Sequence, residues 1–295
     1  VQTGFRAGPG HRIESRSAGY KKQELTLKFS PNKYVYRSIV LTGALSIKLF
    51  RVPVLPTGLE NLPADEEISG LDRKVVPGKG AVVAITHFGY LDFVFAEYLV
   101  WRKLKAHMRF LVTKKAARKP FVKAVCEMCE HIIVDRSDGA AAYAESVEAL
   151  RRGEYLAVLP EAGVSRSFSV RKLKTGAVRM AAEAGVPIIP VSVWGGHRML
   201  TRGGHGLSLK SVWKTPVRIH VSPMIRVEPD ASVVEETERL QKTLQAGMDH
   251  CIDTYQETPE PGAWWMPVSR GGSAMTVEEQ LILDEKDREK YKITG

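Results

Sequence analysis

The sequence predicts an α/β fold, a mixed, mainly parallel sheet flanked by helices. Three observations predict it. Short runs rich in Val, Ile and Leu recur from residue 80 onward, helix-length stretches separate them, and no internal repeat breaks the rhythm. Strands that alternate with helices imply βαβ crossovers, which cover both faces of a parallel sheet.

Taken in order, residues 1–30 show no sustained apolar period and read as a basic arm. YVYRSIVLTGALSIKLF, residues 34–50, is an apolar helix flanked by positive charge. It is too short to cross a bilayer comfortably and fits either the membrane interface or the surface of a core; its two faces allow both. The strand runs follow: AVVAIT, MRFLVT, HIIVD, YLAVLP and PIIPVSVW, then VRIHVSPMIRV at 217–227. Helix-like stretches at 91–105, 119–130 and 139–152 separate the first four, and TGAVRMAAEAG precedes the fifth. The two prolines of VPIIPV suggest an edge or an irregular strand end. Residues 231–256 form an amphipathic helix, with Val233, Val234, Leu240, Leu244 and Met248 at helical spacing. Trp264 and Trp265 fit interfacial anchors or a cap on the core, the cap being preferred.

Composition narrows the function classes. With 295 residues, 44% hydrophobic and 26% charged, the profile is that of an ordinary globular protein. No apolar run is long enough for a spanning helix, and the opening residues lack the layout of a cleaved secretory signal. Three cysteines give no even-numbered disulfide framework, so a reducing cytosolic setting is expected. Cys126 and Cys129, with His131 nearby, could begin a zinc site, but no second ligand pair follows; a shared helical face with Val122 and Val125 favours core packing. The net charge is +10, and residues 1–54 hold ten Lys/Arg against only Glu14 and Glu24. Such a surface attracts anionic bilayers, nucleic acid or phosphorylated ligands. A nucleic-acid-binding module lacks support from any zinc-finger spacing, RNP-type string or helix-turn-helix signature.

Candidate chemistry sits where strands end, since ligands gather beyond the carboxyl ends of strands in open α/β sheets. AVVAIT runs into His87, and Asp92 follows one short turn later, near the start of a helix. A carboxylate there can accept a hydrogen bond from Nδ1–H, which fixes the tautomer and leaves Nε2 free to remove a proton. Alone, this spacing is weak, because Asp92 would also be favoured electrostatically at a helix N-terminus. Its company strengthens it. HIIVDRSD ends a strand with Arg136, a fork suited to phosphate, and YLAVLPEAGVSRSF ends one at Glu161 before a loop bearing Gly163 and Arg166. VRKLKTGA then adds Arg171, Lys172 and Lys174.

In this order and spacing, from about Thr57 to Val193, these segments resemble the glycerolipid acyltransferase family. His87 and Asp92 match its H-x4-D dyad, HIIVDR its second block, LPEAGVSRS its third and VPIIPV its fourth. KLKTGA is similar to the lysine-glycine stretch that follows the third block. One departure stands out: where the family has Gly-Thr-Arg after the glutamate, this chain has Ala162-Gly163-Val164, and arginine returns only at Arg166. Either a reshaped loop gives Arg166 that role, or Arg136 and Lys174 carry more of the phosphate binding.

The resemblance implies a glycerolipid-acyltransferase-like fold and acyl transfer from acyl-CoA or acyl carrier protein to a lysophospholipid hydroxyl. The acceptor expected is 1-acylglycerol-3-phosphate, giving phosphatidic acid, with another lysolipid or glycolipid as the alternative. His87 and Asp92 would be catalytic; Arg136, Glu161, Gly163, Arg166 and Lys174 would bind substrate. No cofactor or metal is implied, because the thioester is already activated. Three parts are expected: a basic arm and interfacial helix over 1–54, the acyltransferase domain over 55–256, and a C-terminal extension over 257–295 packed on it. The expected location is the cytoplasmic face of an anionic membrane, peripheral or monotopic.

Overall fold

The computed structural model describes residues 33–64, 68–69, 72–73, 75–135, 139–161, 163–204 and 206–293. In chain order these hold α1 (Lys33–Leu49), β1 (Val54–Thr57), a hairpin β2 (Ile68–Ser69) and β3 (Asp72–Arg73), β4 (Ala81–Ile85) and α2 (Asp92–Leu104). Then come β5 (Met108–Thr113), α3 (Pro120–Met128), β6 (Ile132–Val134), α4 (Ala140–Arg151), β7 (Tyr155–Val158) and α5 (Gly176–Ala184). The remainder is β8 (Ile188–Trp194), short α6 (Gly196–Met199) and α7 (Leu209–Val212), β9 (Val217–Val221), α8 (Val233–Asp253) and α9 (Val277–Ile293).

Seven strands form one sheet in the order β1-β9-β8-β4-β7-β5-β6. Every pairing in it is parallel except β8 with β9, so the sheet is mixed and mainly parallel. All five residues of β4 are buried, because both faces of this central strand are covered. Val82 and Ala84 face a cluster built with Val147, Leu150, Val178, Leu240 and Leu244, from α4, α5 and α8. Ala81, Val83 and Ile85 face the opposite cluster with Phe95, Leu99 and Val100 of α2. Each fully buried Val or Ile contributes about 1.5–3 kcal/mol of transfer free energy, which is why such strands read as unbroken apolar runs.

Two expectations for the strands need correction. Strand β8 lies between β9 and β4 rather than at an edge. Pro190 is tolerated there by a bulge: Val191 pairs with Val221 and Ile188 with Ile225, so Ser222, Pro223 and Met224 oppose only Ile189 and Pro190. The same bulge ends β9 at Val221, short of the expected 217–227, and leaves Ile225 as a single bridge.

Helix α1 shows two faces. Tyr36 and Val40 are buried against Trp101, Val125 and Cys129, and the Tyr36 hydroxyl accepts a 3.1 Å bond from Met108 N–H. Leu41, Leu45 and Leu49 on another face are exposed, at 53%, 65% and 65%. No described helix is long and apolar enough to cross a membrane. Trp264 and Trp265 are half-buried and pack on the core, and Trp265 stacks under the Arg198 guanidinium at 4.2 Å. Cys126 and Cys129 are buried and free. Arg109 is buried between Glu145 at 2.6 Å and Glu154 at 3.0 Å.

Candidate active site

The parallel register of β4 and β7 pairs Ala84 with Val158. Three residues further on, past the carboxyl ends of both strands, the same offset sets His87 beside Glu161. Glu161 Oε1 accepts the His87 N–H at 2.8 Å, and Oε2 accepts the Arg171 N–H at 3.0 Å. Ser165 N–H closes on the His87 carbonyl at 2.8 Å. His87 is thus held through its backbone on both sides while its ring remains half-buried. Phe88, fully buried, packs edge-on against Phe168 and Trp194 and pins the next position.

From Phe88 the chain turns into α2. Asp92, in the first turn of that helix, directs Oδ2 back to the N–H groups of Phe88 and Gly89, both at 2.7 Å. The turn also packs on the start of α6: a Cβ on Gly89 would lie 2.7 Å from the His197 backbone, and one on Gly196 would lie 2.5 Å from Asp92 Oδ1. Only glycine fits either place. Thr201 Oγ1 donates to the Phe88 carbonyl at 2.5 Å, tying the far side of the turn.

The expected hydrogen bond from His87 Nδ1–H to Asp92 is not made. Oδ2 is committed to the two amides, while His87 Nδ1 and Asp92 Oδ1 are each buried without a hydrogen-bond partner. The orphans are complementary in kind, one ring nitrogen and one carboxylate oxygen. Burial also moves their affinities for protons. It lowers the His87 pKa to about 4, with backbone bonding at Gly89 opposing and the Arg171 charge assisting. It raises Asp92 to about 7 against the pull of the Gly89 and Phe88 amides, and raises Glu161 to about 8 despite bonds from Arg171 and His87. At neutral pH the imidazole is therefore uncharged and able to accept a proton.

The other sequence-derived site residues spread around this node. Glu161 is 3% exposed with both carboxylate oxygens on backbone amides, so its side chain holds the loop. Gly163 lies against Arg171, whose Nη1 would be 2.9 Å from a Cβ there. Arg166 is half-buried with Nε unpartnered, and its backbone N–H donates to Gln280 Oε1 at 3.0 Å. Lys174 is exposed and linked through its backbone N–H to the Pro160 carbonyl at 2.9 Å. Arg136 lies outside the described residues. Sequence reasoning left Arg171 out of the site, although it stands in the basic VRKLKTGA segment. It also missed Gln280 and Asp284 of α9, which bond the third-block loop and Arg171 respectively.

Residues 54–194 match the family model described as Acyltransferase. A curated 1-acyl-sn-glycerol-3-phosphate acyltransferase from Borreliella burgdorferi is 25% identical over 189 residues, 62% of this chain. The match spans 66% of that relative's length. The crystal structure of PlsC from Thermotoga maritima, titled a 1-acyl-sn-glycerophosphate (LPA) acyltransferase, has a TM-score of 0.59 at 19% identity. It is matched over 77% of this chain and 83% of its own, a likeness of fold.

Proposed function

We propose, from the match of residues 54–194 to the Acyltransferase family model and the likeness to 1-acyl-sn-glycerol-3-phosphate acyltransferases, that the chain is a glycerolipid acyltransferase, and with it the reaction it catalyses. It moves an acyl group from the thioester of acyl-CoA or acyl carrier protein to the free hydroxyl of a lysophospholipid. The acceptor is 1-acylglycerol-3-phosphate and the product phosphatidic acid. The observation that carries this reading is a neutral, backbone-pinned imidazole that follows the carboxyl end of the central strand and, further along the turn, an Asp92 whose Oδ2 binds the intervening amides while its buried Oδ1 has no partner.

His87 Nδ1 is enclosed by protein, which leaves Nε2 as the nitrogen on the open side of the ring. Nε2 removes the acceptor's hydroxyl proton as the oxygen attacks the thioester carbonyl, and the collapsing intermediate expels a thiolate that takes the proton back. In between, the ring is an imidazolium. Pairing of its Nδ1–H with Asp92 Oδ1 then relieves two buried groups that each cost about 1–3 kcal/mol while unsatisfied. Arg136, Arg166 and Lys174 supply positive charge for the acceptor's phosphate.

Both lipid substrates partition into bilayers, and the exposed Leu41, Leu45 and Leu49 of α1, next to Lys48 and Arg51, suit an anionic leaflet. The enzyme therefore works as a peripheral protein at a membrane surface. The test is an acceptor panel with one long-chain acyl-CoA: lysophosphatidic acid, a zwitterionic lysophospholipid and monoacylglycerol. Lysophosphatidic acid should be acylated with the highest kcat/KM. Preference for a phosphate-free acceptor would replace this substrate, and no acylation of any would remove the activity.

A further inference from the structure

The C-terminal helix α9 docks on the catalytic loop with its polar side. Gln280, 3% exposed, places Oε1 on the N–H groups of Arg166 and Ser167, both at 3.0 Å, and near Ser165 Oγ at 3.3 Å. One helical turn later Asp284 forms an ion pair with Arg171, the two side chains being only 15% and 22% exposed. Val277, Leu281 and Ile282 point outward, at 47%, 56% and 57% exposure. The helix is thus held to the body by polar contacts to two segments of the site.

Arg171 is the charged group most closely built into the His87 node. Its backbone N–H binds the carboxylate that holds His87, its guanidinium lies over Gly163, and its charge is felt at the imidazole. A cation so placed suits an acceptor phosphate entering beside the reacting hydroxyl. In this structure a carboxylate from α9 occupies it. Gln280 already fastens the helix through three bonds, so the Asp284 pair adds charge neutralisation more than attachment.

We infer that Asp284 is a specificity-determining residue: its carboxylate competes with the acceptor's phosphate for Arg171 and so sets the preference for a phosphorylated over a neutral headgroup. This rests on the lysophospholipid reading above. A phosphate must displace Asp284 to reach the guanidinium, which weakens its binding. A phosphate-free acceptor meets no such competition.

Asp284→Asn keeps the shape and a hydrogen-bonding oxygen while removing the charge. Glu285→Gln, at an exposed neighbour, controls for the change in net charge. With lysophosphatidic acid, Asp284→Asn should lower KM by about tenfold at unchanged kcat, the scale of one charge-assisted contact. KM for monoacylglycerol should not move, and Glu285→Gln should match the parent on both. Inorganic phosphate, followed by its concentration-dependent shift of each protein's own melting temperature, gives a readout free of activity. Asp284→Asn should respond at about tenfold lower phosphate. An equal response in parent and variant overturns the inference even in an active enzyme. A gain in phosphate binding of that size without acyl transfer to any acceptor supports the inference and overturns the reading of function instead.

Discussion

At the residue scale, the mechanism proposed for His87 and Asp92 turns on two groups displaced in opposite directions by burial. His87, lowered to about 4, stays neutral at every pH used for an ordinary assay, so its own titration does not limit the rate. Asp92, raised to about 7, does. Below that pH its carboxyl is neutral and gives a developing imidazolium no countercharge; above it, the carboxylate is available. Acyl transfer should therefore rise as pH increases through about 7. Asp92→Asn retains a side-chain oxygen for the Phe88 and Gly89 amides but cannot ionise. It should lose that limb of the profile and about 10²–10⁴ in kcat/KM. A pH–rate profile that keeps the limb in the Asn variant would assign it to another group, and the buried Glu161, at about 8, is the neighbour to examine.

At the element scale, the central strands and their crossover helices were legible because each strand is buried on both faces and reads as a short apolar run. AVVAIT, YLAVLP and PIIPVSVW correspond to β4, β7 and β8 within a residue or two. The turn carrying His87 was legible for a related reason: a titratable residue that ends a fully buried strand is delivered to the crevice where ligands bind. The features that sequence did not reveal lack any local pattern. Pro190 suggests an edge until the bulge opposite it is seen, and that bulge belongs to a segment some thirty residues away. Helix α9 buries Gln280, half-buries Asp284 and exposes Leu281 and Ile282, against the amphipathic rule, so periodicity gave no hint of its contact with the site. The missing His87–Asp92 bond also could not be foreseen, because spacing does not say which carboxylate oxygen the backbone amides will claim. The close approach of α6 to the catalytic turn gives a direct test. Gly196→Ala would set a methyl group 2.5 Å from Asp92 Oδ1 and 3.5 Å from the Phe95 ring. It should destabilise the fold by about 1–3 kcal/mol in chemical denaturation and depress acyl transfer as well. Unchanged stability would mean the turn has more freedom than its contacts indicate.

At the scale of the whole molecule, charge and apolar exposure combine. The chain carries a net charge of +10, and α1 keeps one face on the body through Tyr36 and Val40 while Leu41, Leu45 and Leu49 stay outside. Replacing those three leucines by serine leaves the buried face untouched. Melting should be little changed, and co-sedimentation with anionic phospholipid vesicles should weaken several-fold. Raising salt should weaken what binding remains, because it screens the basic residues. Vesicle binding equal to that of the parent would place the docking surface elsewhere. The proposed acyl transfer and its pH profile both presuppose that His87 removes the acceptor's proton. The most direct measurement is the rate of phosphatidic acid formation from labelled acyl-CoA and lysophosphatidic acid by the parent and by His87→Ala, with melting temperature recorded alongside. The expected result is a loss of about 10²–10⁴ in turnover at an unchanged melting temperature; turnover by the alanine variant equal to the parent's would contradict the assignment of His87 as the base.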